Sequence, residues 1–308
     1  MAVSVVIPCY NSAAWLPGCL DSLRAQTVPP AEILLIDNGS ADDSLAVAAT
    51  YPEVTIVALG ENTGFAVASN RGLRRARSRY VALLNPDVEL EPDWIERMTG
   101  ALAAHPSAAS VACKMTDLMH PGRLYDTGDV LRRDGVCEQR GRFEVDVGAY
   151  DAPGEIFGAC AGAALYDRDA VLSIGGFDER FFLYMEDVDL ALRLRLAGWT
   201  ARYEPVVARH VGESSPPGLD RPVRVWVQRN TLLMIVKTFP LRWLPLVLYR
   251  QLGWARHAAR TGQLGLYLRG TREAVGLLRP MLATRRRLRR EAVRSMDEVV
   301  PRRAIRGG

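Results

Sequence analysis

Short apolar runs alternate with helix-spaced leucines and alanines along the first hundred residues. Residues 3–7 (VSVVI), 33–36 (ILLI), 54–59 and 80–84 (YVALL) are each short enough and β-branched or leucine-rich enough for a strand buried on both faces. Between them the pattern turns helical, as at Leu16, Leu20 and Leu23. The helix after the third run carries Asn70, Arg71 and a basic face at Arg74, Arg75, Arg77 and Arg79. Each run stops at a polar or glycine-rich turn. Pro8 leads into Cys9-Tyr10-Asn11-Ser12, where Asn11 or Ser12 is placed to cap the next helix. The other turns are Asp37-Asn38-Gly39-Ser40, Gly60-Glu61-Asn62-Thr63-Gly64 and Asn85-Pro86-Asp87. Strands alternating with helices predict an α/β fold with a mostly parallel sheet flanked by helices, and put all these turns on one edge. That edge is where ligands bind in open α/β sheets.

The second half is less regular. Residues 92–104 read as a helix and 108–113 as a strand, whereas 114–155 show only a hairpin signal at Asp134-Gly135. An acceptor-binding insertion is expected there. The run from Gly158 through Ala159 and Cys160 to Ala163 has little side-chain bulk and allows close approach of a ligand or another backbone. Gly175-Gly176-Phe177-Asp178 is a turn, residues 181–185 are aromatic and apolar, and Glu186-Asp187 opens a helix that stops at Gly198.

Two sets of acids carry candidate chemistry. Proline cannot donate to a sheet ladder, so the fourth strand ends at Pro86 and places Asp87 at the ligand-binding edge. A carboxylate there can share a hard cation with a substrate phosphate, or simply close the turn. Glu186, Asp187 and Asp189 sit in a helical first turn, which the helix dipole favours. One of them, desolvated, would have a pKa suited to deprotonating a hydroxyl, and the residues alone do not choose among the three. Asp37 suits either a helix cap or an acceptor for the imide N–H of uracil or thymine.

Composition narrows the classes. At 308 residues, 48% apolar and 24% charged, the chain has an ordinary globular make-up. Its five cysteines are widely spaced with no Cys-x-x-Cys pair, which argues against a disulfide framework or zinc knuckle and for a reducing compartment. A strand pattern from Ala2 onward leaves no room for a signal peptide, and no stretch reaches about 18 uninterrupted apolar residues, so no spanning helix is expected. The net charge of +4 is uneven: residues 285–308 hold nine arginines against Glu291, Asp297 and Glu298. Neither G-x-G-x-x-G after the first strand nor G-x-x-x-x-G-K-[ST] occurs, against a dinucleotide enzyme or P-loop NTPase.

The ordered motifs VSVVIPCYN, LLIDNGSADDS, GENTGFAVASNRGL, ALLNPDV and GGFDERFFLYMEDVDLALRLRLAGW resemble those of the family 2 glycosyltransferases of GT-A fold, and within them the bacterial rhamnosyltransferase branch, over about residues 3–240. The resemblance implies an inverting, non-processive transfer from a nucleoside-diphosphate sugar to a hydroxyl, with Asp187 as catalytic base. It places Asp37 on the pyrimidine base, with Pro8 and Tyr10 lining the same pocket and Asn11 and Asn38 beside them. Asn70 and Arg71 lie where the family approaches the nucleotide. Asp87 matches the last residue of the Asp-x-Asp motif, which holds Mg2+ or Mn2+ against the diphosphate. Asn85 replaces its first aspartate, leaving a single strong carboxylate ligand. His210 resembles a histidine completing the metal shell. Gly158, Ala159, Cys160 and Glu186 are acceptor-site candidates. Branch resemblance favours dTDP-rhamnose as donor and a glycan or polyprenyl-diphosphate-linked acceptor, reached from the cytoplasmic face of the membrane.

The expected organisation is a catalytic domain over 1–220 (nucleotide half 1–113, acceptor half 114–220), an amphipathic helical extension over 221–284 and a basic tail over 285–308. The family's processive members carry Gln-x-x-Arg-Trp and several spanning helices, and neither occurs here. Residues 226–254 interleave aromatics and arginines with leucines, as in helices lying in a membrane interface, or in a helical cap or homodimer contact. The cluster at 285–290 would add attraction to anionic lipids. Basic residues without stacking aromatics disfavour nucleic acid. A non-catalytic nucleotide-sugar-binding scaffold is the alternative from another class. A nucleotidyltransferase is disfavoured, since a glycine-rich basic loop does not follow the first strand.

Overall fold

The structure is a computed structural model and describes residues 1–212 and 222–302. The chain alternates through β1 (Val3–Cys9), α1 (Leu16–Arg24), β2 (Glu32–Asp37), α2 (Ser44–Ala49), β3 (Val54–Ala58), α3 (Phe65–Arg75) and β4 (Tyr80–Leu84). All pairings among these four strands are parallel, in spatial order β4-β1-β2-β3. The register sets Cys9 level with Asp37, and Asp37 level with Ala58, so the turns beyond them share one edge as expected.

Neither Asn11 nor Ser12 caps α1 through its side chain. The Ser12 carbonyl accepts from the Trp15 and Leu16 amides, while Asn11, with φ of 49°, braces the second turn: its Oδ1 accepts from Ala41 N–H at 2.8 Å. The cause is the longer loop, which spans Tyr10 to Trp15 before the helix begins at Leu16.

From Val88 the strands become mixed in direction. They are β5 (Val88–Leu90), β6 (Ala108–Asp117), β7 (Leu124–Asp126), β8 (Asp129–Leu131), β9 (Cys137–Gln139), β10 (Gly154–Ile156), β11 (Ala163–Asp167) and β12 (Thr200–His210), with α4 (Trp94–Ala104), α5 (Arg168–Ser173) and α6 (Glu186–Leu196) between them. β11 runs antiparallel between β4 and β6, and β12 lies parallel to β6. β8 and β9 form the hairpin signalled at Asp134-Gly135. Two buried clusters cover the two faces of the sheet, one under α1 and α4 with Trp94 and Leu20, the other under α3 and α6 with Leu73 and Leu190.

The remaining helices are α7 (Val223–Thr238), α8 (Leu244–Arg260), α9 (Leu264–Gly276), α10 (Leu278–Glu291) and α11 (Met296–Val299). Most of the start of the 226–254 stretch is buried. α7 is buried along most of its length, with Val227 exposed beside the crevice, and its Leu233 and Met234, with Phe239 just beyond it, pack with Phe181, Val188 and Leu192. Its buried Lys237 reaches Asp178 at 2.6 Å and Asp189 at 2.7 Å, which accounts for the charge inside an apolar stretch. Arg285, first of the basic cluster, is also buried and caps α7, donating to the carbonyls of Val236 (2.8 Å) and Phe239 (2.6 Å). No helix among the described residues is long and apolar enough to cross a membrane. The boundary expected at 220/221 and the last six residues of the tail lie outside the described residues.

Candidate active site

A crevice of about 710 Å³ opens at the strand ends, between the first three turns and α6. Its walls include Pro8, Tyr10, Asn11, Asn38, Asn85 and Asp87 from the first half. From the second half come Cys160, Glu186, Asp187 and His210. Asp87 and Asp187 thus share one cavity although a hundred residues separate them.

The first-half turns are braced by their own polar side chains. Asp37 is buried and accepts from the Gly39 and Ser40 amides, both at 3.2 Å. Asn38 ties the second turn to the third, accepting from Thr63 N–H at 2.8 Å and donating to Asn62 Oδ1 at 3.1 Å. This organises the edge without ligand, in the way polar side chains stabilise turns. Asp37 lies behind the wall rather than on it. Asn70 and Arg71 are also off the wall. Asn70 is buried and clamps Phe177, receiving its N–H at 2.8 Å and donating to its carbonyl at 2.9 Å, while Arg71 is exposed on the outer face of α3.

Asp87 meets His210 because β5 folds back along β12, pairing Val88 with His210. His210 Nε2 lies 3.3 Å from Asp87 Oδ1 and 3.3 Å from Asn85 Nδ2. Its Nδ1 accepts from Gly212 N–H at 2.9 Å, which puts the ring proton of the neutral form on Nε2, facing Asp87. In that state the histidine donates to Asp87 and offers a cation no lone pair. The Tyr125 ring packs on it with centroids 4.4 Å apart. No cluster of three or more metal-type ligands occurs among the described residues. One carboxylate at an open edge suits a cation that completes its shell with phosphate oxygens and water, as Mg2+ commonly does.

At the opposite wall the small-residue run explains how α6 comes close. A Cβ on Gly158 would stand 2.5 Å from Ala191 Cβ, so Gly158 is there for helix packing. Gly158 and Ala159 therefore lie behind the wall, and Cys160, Ala161 and Gly162 form it. The three acids of the first turn separate by partner. Asp189 is fully buried and bound to Arg193 at 2.7 Å and to Lys237, which removes it from the crevice. Glu186 is pushed well above the usual carboxyl range by burial first and by the Asp187 charge second, and its Oε2 is buried without a hydrogen bond. Asp187 faces the crevice and accepts from Ala161 N–H at 3.2 Å and Val188 N–H at 2.8 Å. Burial raises its pKa too, and those amides oppose the rise by stabilising the carboxylate. Of the three, Asp187 lines the crevice with its carboxylate held by the Ala161 and Val188 amides.

The irregular insertion contributes what sequence reasoning missed. Tyr125, Asp129, Cys137, Gln139 and Arg142 line the crevice from β7 to just past β9. Burial lifts Asp126 to about 6 and Asp129 well above its usual range. No periodicity marks these residues, because each strand here is only three residues long. Trp15, Phe182 and Tyr184 add aromatic wall, and Arg224 reaches it from α7.

A family model described as "Glycosyl transferase family 2" matches residues 4–175. An N-acetylglucosaminyl-diphospho-decaprenol L-rhamnosyltransferase of Mycobacterium tuberculosis is 32% identical over 228 residues, covering 65% of this chain and 73% of that protein. Among solved structures, a mannosyltransferase from Pyrobaculum calidifontis with GDP-Man and Mn2+ superposes with a TM-score of 0.53 at 20% identity, covering 93% of this chain and 84% of that one. GalNAc-T7 with UDP, GalNAc and Mn2+ gives 0.58 at 14% identity, covering 77% and 48%. At these identities the two structures share the fold with this chain.

Proposed function

The chain belongs to glycosyl transferase family 2, and we propose that it moves one sugar per encounter from a nucleoside diphosphate to an acceptor hydroxyl, by inverting displacement. The observation that carries this reading is the placing of Asp87 and Asp187 in the lining of one crevice. Asp187 takes the proton of the acceptor hydroxyl, whose oxygen attacks the anomeric carbon from the side opposite the departing diphosphate. Burial and the Asp187 charge both favour the protonated form of Glu186, whereas the Ala161 and Val188 amides favour the carboxylate form of Asp187. Asp87 would hold a divalent cation, with His210 donating to its carboxylate. Such a cation supplies charge stabilisation to the leaving diphosphate. Tyr10 and Pro8, with Asn11 and Asn38 on the same wall, offer the stacking and polar surface a nucleoside needs.

The rhamnosyltransferase relative supports L-rhamnose as the sugar and a polyprenyl-diphosphate-linked glycan as acceptor, and the carrier we propose is dTDP. Among dTDP-rhamnose, UDP-glucose and GDP-Man, dTDP-rhamnose with Mn2+ is expected to raise Tm most. A ligand at about 100 times its Kd adds roughly 2.7 kcal/mol, several degrees for a domain this size. Omitting the metal should remove most of that shift. Equal shifts for all three, or none that depends on metal, would overturn the donor reading.

We place the protein at the inner face of the membrane, attached through 226–290. Buried α7 narrows the contact to α8, α9 and α10. Leu241, Leu248, Tyr249 and Leu252 are more than half exposed, the first in the short turn before α8 and the others on it, and Arg286, Arg287, Arg289 and Arg290 are exposed on α10. This pairs apolar surface with cations, as interfacial helices do. Leu248→Glu/Leu252→Glu is expected to lose co-sedimentation with vesicles of anionic lipid while the Tm stays near that of the parent. Equal sedimentation of both forms would count against attachment.

A further inference from the structure

The five residues before the candidate base follow a backbone path that ordinary side chains avoid. Phe182, Tyr184 and Met185 have φ of 65°, 68° and 67°. Non-glycine residues hold such angles only where surrounding structure over-determines them, and the clustering of three next to a site is unusual. Met185 is also the residue from which α6 starts, so its left-handed conformation sets the direction in which Glu186 and Asp187 emerge.

What over-determines the path comes from α7. Asn230 is completely buried, and its Nδ2 lies 2.9 Å from the Phe181 carbonyl, 2.9 Å from that of Leu183 and 2.7 Å from that of Tyr184. Arg229 donates to the Arg180 carbonyl at 2.7 Å and to Phe181 at 3.3 Å, and also holds Asn230 Oδ1 at 2.7 Å. The Phe182 ring stacks on Trp226, centroids 4.8 Å apart and planes 8° apart. From the other side the Ala66 amide, in the first turn of α3, donates to the Phe182 carbonyl at 3.3 Å. Gly64 makes room for this segment, since a Cβ there would stand 2.5 Å from the Phe182 ring. The segment is thus held between the nucleotide half and α7, and it runs directly into Asp187.

We propose that Arg229 and Asn230 are positioning residues for the transfer reaction, acting through the carbonyls of 180–184 to hold Asp187 at the Ala161 amide and facing the crevice. The helical extension is then part of the catalytic apparatus and not an appendage to it. This inference rests on the reading of Asp187 as base.

Asn230→Asp tests it. The variant keeps the volume, leaves Arg229 to neutralise the new carboxylate, and replaces the donor to three carbonyls by an acceptor. Amide hydrogen exchange over 181–190 is expected to quicken at least tenfold, with β1, β2 and β4 unchanged. Release of nucleoside diphosphate, read with whichever of dTDP-rhamnose, UDP-glucose and GDP-Man the parent turns over fastest, is expected to fall about 10²-fold in kcat, the scale of a 1 Å misplacement. The Kd for the nucleoside diphosphate should stay within about threefold on that same scale. The acid limb of kcat/KM should move to lower pH as water reaches Asp187. If the variant does not fold, Arg229→Lys, which keeps the charge and removes the planar fork, is read by the same measurements. Exchange that rises evenly over the whole chain, or an unmoved acid limb with parental kcat, overturns the proposal. Parental release by Asp187→Asn would instead remove the base reading, and this inference with it.

Discussion

Asp187→Asn lowers turnover by about 10²–10⁴-fold, the usual contribution of a positioned general base, and leaves nucleoside-diphosphate affinity nearly unchanged. The separation of the two effects follows from geometry. Asp187 sits on α6, bound to the Ala161 and Val188 amides, while Pro8 and Tyr10, which we propose meet the nucleoside, line the crevice from the first-half turns. Asparagine fits the same space, and its one carbonyl oxygen can still accept from one of the two amides, which bind different oxygens of Asp187, so the wall gives up a single hydrogen bond. It cannot take a proton from a hydroxyl at neutral pH. Calorimetric titration with dTDP and UDP, beside steady-state release, checks both halves. A variant that lost nucleotide binding in step with turnover would show a structural role for Asp187.

Asp87→Ala has the second large effect, and it differs in kind. Donor affinity and turnover should fall together, and Mn2+ should cease to strengthen nucleoside-diphosphate binding. Asp87 is the carboxylate at the crevice edge with an oxygen facing both the cavity and His210. Removing it leaves Asn85 and a histidine whose Nε2 carries the proton, neither of which attracts a cation strongly. Loss of one group that stabilises leaving-group charge costs about 10²–10³-fold in kcat. Calorimetry of dTDP binding with and without Mn2+, in parent and variant, reads the coupling directly. An unchanged metal dependence in the variant would move the cation site elsewhere.

The first half of the fold was legible because burial on both faces forces continuous apolar runs, and proline or glycine ends each of them. That is why YVALL and Asn85-Pro86-Asp87 located the edge and Asp87 together. The second half obeyed the same physics with less signal. β5 is three residues long, and only its pairing with β12 brings His210 to Asp87. Tyr125, Asp129 and Arg142 come from an insertion with no period to read. Choosing among Glu186, Asp187 and Asp189 needed partners 50 residues away, Lys237 above all. Gly158 showed that a small residue was needed and not whether a ligand or a helix fills the space; here it is Ala191 of α6. α7 misled most, because a largely buried helix and a helix lying in a membrane interface can share a composition, and only the packing against Phe181 and Leu192 separates them.

Turnover by this mechanism requires an ionised Asp187 at the head of α6. The measurement closest to that claim is the pH dependence of kcat/KM for nucleoside-diphosphate release. A buried base is active only when deprotonated, and burial raises the pKa of Asp187. The parent should therefore lose activity as pH falls through a limb lying above the ordinary aspartate value of about 3.9. In Asp187→Asn that limb should vanish and the residual rate run flat through the same range. A limb of the same position and depth in both proteins would contradict the account.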